Sequence, residues 1–422
     1  MSYIPRLADQ ELQEKLEYAG GVVIEGAKAT GKTATALQRA ESVHRFDVDA
    51  NARALAAQAP NVLLKEKSPI LLDEWQLAPE LWNHVRRAID EKNGAAGQFI
   101  LTGSARPADD FTRHSGAGRF ARMRIRPLSG FERSVGLPQV SLKALLRGEI
   151  FSVRDPGLTV PDLAELVCRG GFPGHASLST AQAMKALRDY VGEISRTDIR
   201  EVDGVSRDPL RVAALITALA RHVGTAVRST TLAADVATRF SGVTISRQET
   251  VAEYLAVLER LWILEYQPAF APHLRSSTRL RSTPVVHLVD PALATAALGA
   301  TPDSLLRDLK FLGFLFESMV LRDLRIFTHH QLAEVQHYRD ETGLEVDAIV
   351  TGEDGAWCAI EIKLGGAQAV VDGAAASLLK FASRIDTARM GTPAALVVIT
   401  GTGPGFVRAD GVLQVPYGAL AP

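Results

Sequence analysis

The chain has 422 residues, of which 46% are hydrophobic and 23% charged. That length exceeds one ordinary domain, and the composition is that of folded protein rather than disordered, collagen-like or disulfide-stapled chain. Lys plus Arg total 47 against 48 acids, a net charge of −1, so there is no whole-chain basic field for nucleic acid, although a local patch is compatible with it. Cys168 and Cys358 are too few for a zinc site and fit a reducing compartment. The opening, Met1 to Arg6 with acids at Asp9 and Glu11, lacks the apolar core of a signal peptide, and no run is long enough to cross a membrane. The expectation is a multidomain protein of the cytoplasm with no membrane contact.

The first third alternates short apolar runs with amphipathic ones. Val22-Val23-Ile24, Ile70-Leu71-Leu72 and Phe99-Ile100-Leu101 predict buried parallel strands of an α/β sheet, and Arg122 to Arg126 a further strand. A helix is expected from Lys32 to about Ser42. From about Leu142 to Leu264 the spacing is mainly helical, with Ala181–Ser195 and Leu210–Arg221 as examples. Strand-like runs return at Val285–Val289, Val346–Val350, Trp357–Ile362 and Ala395–Thr400, with an amphipathic helix over Leu306–Phe327. The fold class is therefore α/β multidomain: a parallel sheet, a helical middle and a smaller α/β unit. The boundaries expected are 1–135, 136–225, 226–284 and 285–422.

Between the first strand and the helix, Gly26-Ala27-Lys28-Ala29-Thr30-Gly31-Lys32-Thr33 matches G-x-x-x-x-G-K-[ST] in full. Glycines let backbone N–H groups curl around phosphate oxygens, and a helix start adds positive dipole. Lys32 is expected on the β- and γ-phosphates of ATP and Thr33 on Mg²⁺. Ile70-Leu71-Leu72-Asp73-Glu74 ends a strand in two acids: Asp73 suits holding Mg²⁺ and Glu74 polarising the attacking water. Ser104, after the Phe99–Leu101 run, suits either sensing the γ-phosphate or capping a turn. Arg119 suits either an arginine finger, in cis or in trans, or a surface ion pair.

These motifs, with Leu72-Asp73-Glu74-Trp75-Gln76, Leu101-Thr102-Gly103-Ser104 and Arg126-Pro127-Leu128-Ser129, resemble prokaryotic AAA+ ATPases with a C-terminal domain of unknown function. Gly170-Gly171-Phe172-Pro173 and Arg196-Thr197-Asp198-Ile199 extend the resemblance over nearly the whole chain. The loop departs from that family, which often carries Arg-Gln before a Val-Gly-Lys turn where this chain has Lys28-Ala29-Thr30. The resemblance implies a winged helix in the middle, where Thr230–Ala237, a turn near Gly242, a helix from Ser246 to Leu261 and a strand at Trp262–Tyr266 follow in order. Its second helix carries Arg247, Gln248 and Arg260 but also Glu249, Glu253 and Glu259, a weak set for groove insertion. Arg275, Arg279 and Arg281 form an acid-free stretch that suits either phosphate contact or a solvated loop.

In the last third, period-two alternation puts Glu361 and Lys363 on one strand face, opposite Ile360 and Ile362. Hairpin pairing brings Asp347 to the same face, and Glu317 lies on the preceding helix. The ordered set resembles the PD-(D/E)XK nuclease-like fold. It implies Asp347 and Glu361 as ligands of a second divalent metal, Mg²⁺ or Mn²⁺, and Lys363 as a catalytic partner. An ion-paired strand face is the competing reading. His329, His330 and His337 suggest surface or core histidines. Three roles stay open: an ATPase acting on DNA or RNA through these acids, a nucleotide-controlled switch recruiting a protein partner through an inert C-terminal module, and an oligomeric remodelling motor.

Overall fold

The computed structural model describes residues 3–104, 116–198, 207–239, 248–271, 284–329 and 333–422. The N-terminal unit is a five-stranded sheet in the order β2-β3-β4-β1-β5, with every pair parallel. Its strands are β1 (Gly21–Glu25), β2 (Ser42–Arg45), β3 (Ile70–Asp73), β4 (Phe99–Gly103) and β5 (Phe120–Arg124). The three apolar runs read from the sequence are β1, β3 and β4, and Val22, Ile24, Ile70, Leu71, Leu72 and Phe99 are all buried, as a sheet covered on both faces requires. Inserting β4 between β1 and β3 sets the carboxyl ends of these three strands side by side. Two expectations shift here. The helix after the glycine turn stops at Ala36 instead of Ser42, and Ser42 opens β2, a polar edge strand whose pattern carries too little hydrophobicity to be read. The fourth expected strand is displaced two residues toward the N-terminus.

In the middle, the short strand β6 (Val140–Ser141) leads into helices including Val160–Arg169, Thr180–Glu193, Pro209–Arg221, Ser229–Arg239 and Gln248–Arg260. An antiparallel pair follows, β7 (Leu264–Gln267) and β8 (Val285–Leu288). Thus β8, expected to open the C-terminal unit, pairs backward with the middle of the chain, and the Pro291–Leu298 helix after it sits among the Thr180–Glu193 and Pro209–Arg221 helices. Arg247, Arg275, Arg279, Arg281, Gly242, Ser246, Ile199 and His330 lie outside the described residues.

The C-terminal sheet has six strands in the order β13-β14-β12-β11-β10-β9. They are β9 (Glu334–Arg339), β10 (Glu345–Thr351), β11 (Trp357–Lys363), β12 (Ala395–Thr400), β13 (Phe406–Val407) and β14 (Leu413–Pro416). The inner β11–β12 and β12–β14 pairs are parallel and the others antiparallel. The Gln368–Ala382 helix covers one face through Val371, Leu378 and Phe381, which pack with Trp357 and Val398. The Leu309–His329 helix covers the other through Leu315, Phe316 and Met319, in one cluster with Ile360 and Val397. The amphipathic run expected over Leu306–Phe327 is two helices, Pro302–Leu306 and Leu309–His329, separated at Arg307–Asp308. Finally β15 (Leu420–Ala421) returns to pair with β6. One apolar cluster extends from Val140 to Leu420, so the middle and C-terminal parts share a core. Among the described residues no helix is long and apolar enough to cross a membrane.

Candidate functional site

The phosphate loop leaves β1 at Glu25 and enters the Lys32–Ala36 helix. Its turns demand positive φ: Gly26 has φ 154° and Gly31 φ 97°, and a Cβ on Gly26 would stand 2.2 Å from the carbonyl oxygen of Ile125. Ala29 also has positive φ, at 61°. The Lys32 ammonium folds back into the loop and donates to the carbonyls of Gly26 (3.0 Å) and Ala27 (2.8 Å). Burial pushes its pKa down to about 8, against the opposing pull of Glu74 and Asp73. Such a buried ammonium, satisfied by neutral carbonyls only, gains most from an arriving polyphosphate. Two side chains hold the loop from outside. Arg6 donates to the Thr30 carbonyl at 2.9 Å, and Tyr190 donates its hydroxyl to the Lys28 carbonyl at 3.0 Å.

Asp73 ends β3 next to this loop. Thr33 donates to its Oδ1 at 2.8 Å, and Thr102 at the end of β4 donates to the same oxygen. Two hydroxyls and a carboxylate beside the loop form a hard oxygen set that fits Mg²⁺. Glu74 is held with a left-handed backbone, φ 55°, and accepts from Gln76 and from Ser104 at 3.2 Å. Ser104 therefore lies against the expected water-polarising acid. Thr102 and Gln76 stand in the strand-end motifs of the resemblance, which give neither of them a role. Their signal was position alone: one ends the strand beside β3, the other follows the acid pair by two residues.

Arg119 does not join this group. It precedes β5, whose first residue pairs with Gly21 at the start of β1, so it stands at the opposite end of the sheet from the loop. At about 3.3 Å per residue, a five-residue strand separates them by roughly 16 Å. Arg119 instead pairs with Asp90 at 2.9 Å. That placement removes a role in cis.

In the C-terminal sheet, the β10–β11 register ends with Ala348 against Ile360, and Asp347 and Glu361 are the residues next beyond that pair on the two strands. Lys363 donates to Asp347 Oδ2 at 3.1 Å and to Glu361 Oε2 at 2.6 Å, and the Ile362 amide donates to Asp347 Oδ2 at 2.7 Å. Burial, then Asp347, push Glu361 up to about 8 despite Lys363. Burial, then the charge of Asp347, push Glu317 well above the carboxylate range. Burial opposes the charge of Lys363, but Asp347 and Glu361 outweigh it and raise its pKa. The four expected residues thus gather at one place. The expected second metal gains no support here: among the described residues no group of three or more His, Cys, Asp or Glu side chains is arranged to hold an ion. The Lys363 ammonium bridges the two carboxylates instead. Of the histidines, His337 is buried in β9 and burial pushes its pKa down to about 4, as a core residue requires.

Residues 19–133 match the family model of the AAA domain. This segment is an AAA-type P-loop ATPase domain. Residues 160–304 match a domain of unknown function (DUF8612), and residues 312–419 match another (DUF4143). No curated protein matches the chain. Among solved structures, a Walker-type ATPase of Pyrococcus abyssi is similar at 13% identity and a TM-score of 0.42, covering 70% of this chain and 96% of its own. The Orc1 protein of Aeropyrum pernix in complex with DNA is similar at 15% identity and a TM-score of 0.30, covering 73% and 95%. Drosophila ORC bound to DNA is similar at 14% identity and a TM-score of 0.22, covering 69% and 84%.

Proposed function

We propose that the chain is a Mg²⁺-dependent ATPase whose nucleotide state acts on a nuclease-like C-terminal domain, with DNA or RNA as the substrate class. The observation that carries the ATPase half is the Thr33–Asp73–Thr102 oxygen cluster beside the loop that holds Lys32. In this reading Lys32 and the loop amides take the phosphates, Thr33 and Asp73 hold Mg²⁺, and Glu74 polarises water, oriented by Gln76 and Ser104. Arg119, removed from a role in cis, would act on a neighbouring subunit or serve only as the surface ion pair with Asp90.

The nuclease-like half is supported by Asp347, Glu361 and Lys363 converging across adjacent strands, with Glu317 close enough to feel their charge. In this reading Asp347 and Glu361 would hold a divalent ion, which would supply Lewis-acid activation of the attacking water, and Lys363 would stabilise the charge developing on the scissile phosphate. The helices before β7 and the β7–β8 pair follow the order of a winged helix, which would serve here for packing or for a nucleic-acid contact. A second reading is favoured by one observation, the ion pairing of Lys363 with both carboxylates. In it the C-terminal domain is an inert docking module for a protein partner, and ATP controls recruitment. The test is cleavage of single- and double-stranded DNA and RNA with Mg²⁺ or Mn²⁺. Cleavage lost in Asp347→Ala and Glu361→Ala, with ATP hydrolysis retained, supports the first reading. No cleavage and no Mn²⁺ binding at the cluster leaves the second.

A further inference from the structure

The two sites are joined by a run of buried and partly buried hydrogen bonds that passes through one short strand. It begins at the phosphate loop, where Arg6 donates Nη1 to the Thr30 carbonyl at 2.9 Å. The same guanidinium donates Nη2 to the carbonyl of Arg126 at 2.8 Å. Arg126, two residues beyond β5, donates Nε to Glu265 of β7 at 2.9 Å. Strand alternation puts Glu265 and Gln267 on one face of β7. Gln267 then donates Nε2 to the backbone carbonyl of Asp347 at 2.9 Å. That carbonyl lies where the β9–β10 register shifts, between Val346 and Ile349, so the bulge takes it out of the regular ladder.

The Gln267 amide is itself fixed. With Nε2 committed to Asp347, its Oε1 must accept, and it lies 3.3 Å from His287 Nε2. His287 Nε2 therefore carries the proton, leaving Nδ1 to accept from the Ser318 hydroxyl at 3.1 Å. Ser318 adjoins Glu317 on the Leu309–His329 helix. Gln267, His287 and Ser318 are each no more than 2% exposed, so the two His287 bonds have no water as an alternative. Both ends of this side network stop beside carboxylates of the C-terminal cluster.

We propose that β7 couples the phosphate loop to the carboxylate cluster, with Gln267 as the positioning residue that sets Asp347 and Glu265 as the attachment to the ATPase sheet. The proposal rests on reading the loop as the nucleotide site. The physical input is the change of partners that nucleotide forces on the loop. Lys32 must leave the Gly26 and Ala27 carbonyls for phosphate, and Thr30, the anchor of Arg6, belongs to the same turn. A shift of Arg6 is handed to Arg126 and Glu265, and the close-packed β7 passes it to Asp347.

The test is amide deuterium exchange on the full chain, with and without ATPγS and Mg²⁺, read at Ile362, whose N–H is held by Asp347 Oδ2. In the wild type, nucleotide should change the exchange rate at Ile362 by threefold or more while Val397 and Val398 of β12 stay unchanged. Gln267→Met should abolish that response and leave ATPγS affinity within twofold. No nucleotide-dependent change in the wild type, or an unchanged response in Gln267→Met, overturns the proposal. A merely structural Gln267 would alter protection equally with and without nucleotide. The readout needs no cleavage and no ion at the carboxylate cluster, so its failure is separable from failure of the nuclease-like reading, which the Mn²⁺ and cleavage assays decide.

Discussion

Replacing Glu265 with Gln removes one negative charge from among three guanidinium groups. Arg124, Arg126 and Arg325 approach its carboxylate at 2.7, 2.9 and 2.7 Å. The carboxylate side chain is 4% exposed, and those of Arg126 and Arg325 are 10% and 9% exposed. Breaking a buried pair by deleting one partner costs about 3–5 kcal/mol, because the remaining charge is left uncompensated. Gln keeps one acceptor oxygen, and Arg124, at 20% exposure, can turn toward water. Both soften the loss, which places it near 3 kcal/mol, a large share of the roughly 5–15 kcal/mol that a folded protein has. Urea unfolding of wild type and Glu265→Gln at pH 7 measures it. The pH course adds a second check. Burial opposes ionisation of Glu265, but the three arginines outweigh it and hold the carboxyl far below its ordinary value of 4.5. A depressed carboxyl stabilises the fold above its unfolded pKa and ceases to do so as pH falls through the folded one. The gap between the two proteins should therefore be constant from pH 8 to about 5 and narrow only below that. A loss under about 1 kcal/mol, or a gap that closes already at pH 6, would refute the account of this junction.

Other consequences are independent of that ion cluster. Glu74→Gln should bind ATP with near-normal affinity and lose turnover by about 100-fold or more, whereas Asp73→Asn should weaken Mg²⁺-dependent binding; identical behaviour in titration and turnover assays would contradict the division of roles. Gly171→Ala should destabilise the fold by about 1–3 kcal/mol in urea, since its Cβ would meet the Leu128 carbonyl oxygen at 2.2 Å. His337, pushed by burial from 6.5 to about 4, refuses a proton that the unfolded chain accepts between those values. Stability should then fall as pH drops through that window, by about 1.4 kcal/mol per unit from this residue, and His337→Gln should flatten the slope.

The parts legible in the sequence are those whose physics is local. Val22-Val23-Ile24, Ile70-Leu71-Leu72 and Phe99-Ile100-Leu101 are short buried strands because only a sheet covered on both faces accepts such unbroken apolar runs. The loop from Gly26 to Thr33 is a spacing, and the Asp347–Glu361–Lys363 convergence follows from alternation within a hairpin. What escaped is long-range. Glu265 looks like an ordinary strand residue until Arg126, 139 positions earlier, and Arg325, 60 positions later, are brought to it. Gln267 and His287 matter through a carbonyl exposed by a bulge, which leaves no mark in residue type. The strand β9, Glu-Val-Gln-His-Tyr-Arg, was missed because its buried residues include Gln336 and His337, polar side chains that no hydrophobic pattern registers. Gly170-Gly171-Phe172-Pro173 was visible as a motif without a role. Its place explains it: the Gly171 amide donates to Asp290 at 2.8 Å, its carbonyl accepts from Leu128, and Pro173 sits against Gly31 of the phosphate loop.

The measurement closest to the central claim is calorimetric titration of the full chain with ATPγS and Mg²⁺, wild type against Lys32→Ala. Lys32 is the buried ammonium of the loop, and phosphate is the partner that its present carbonyl contacts stand in for. The account predicts saturable one-to-one binding by the wild type and at least a 100-fold loss of affinity in the variant, equal to about 2.7 kcal/mol. Equal affinity in the two proteins, or no binding by the wild type, would contradict it.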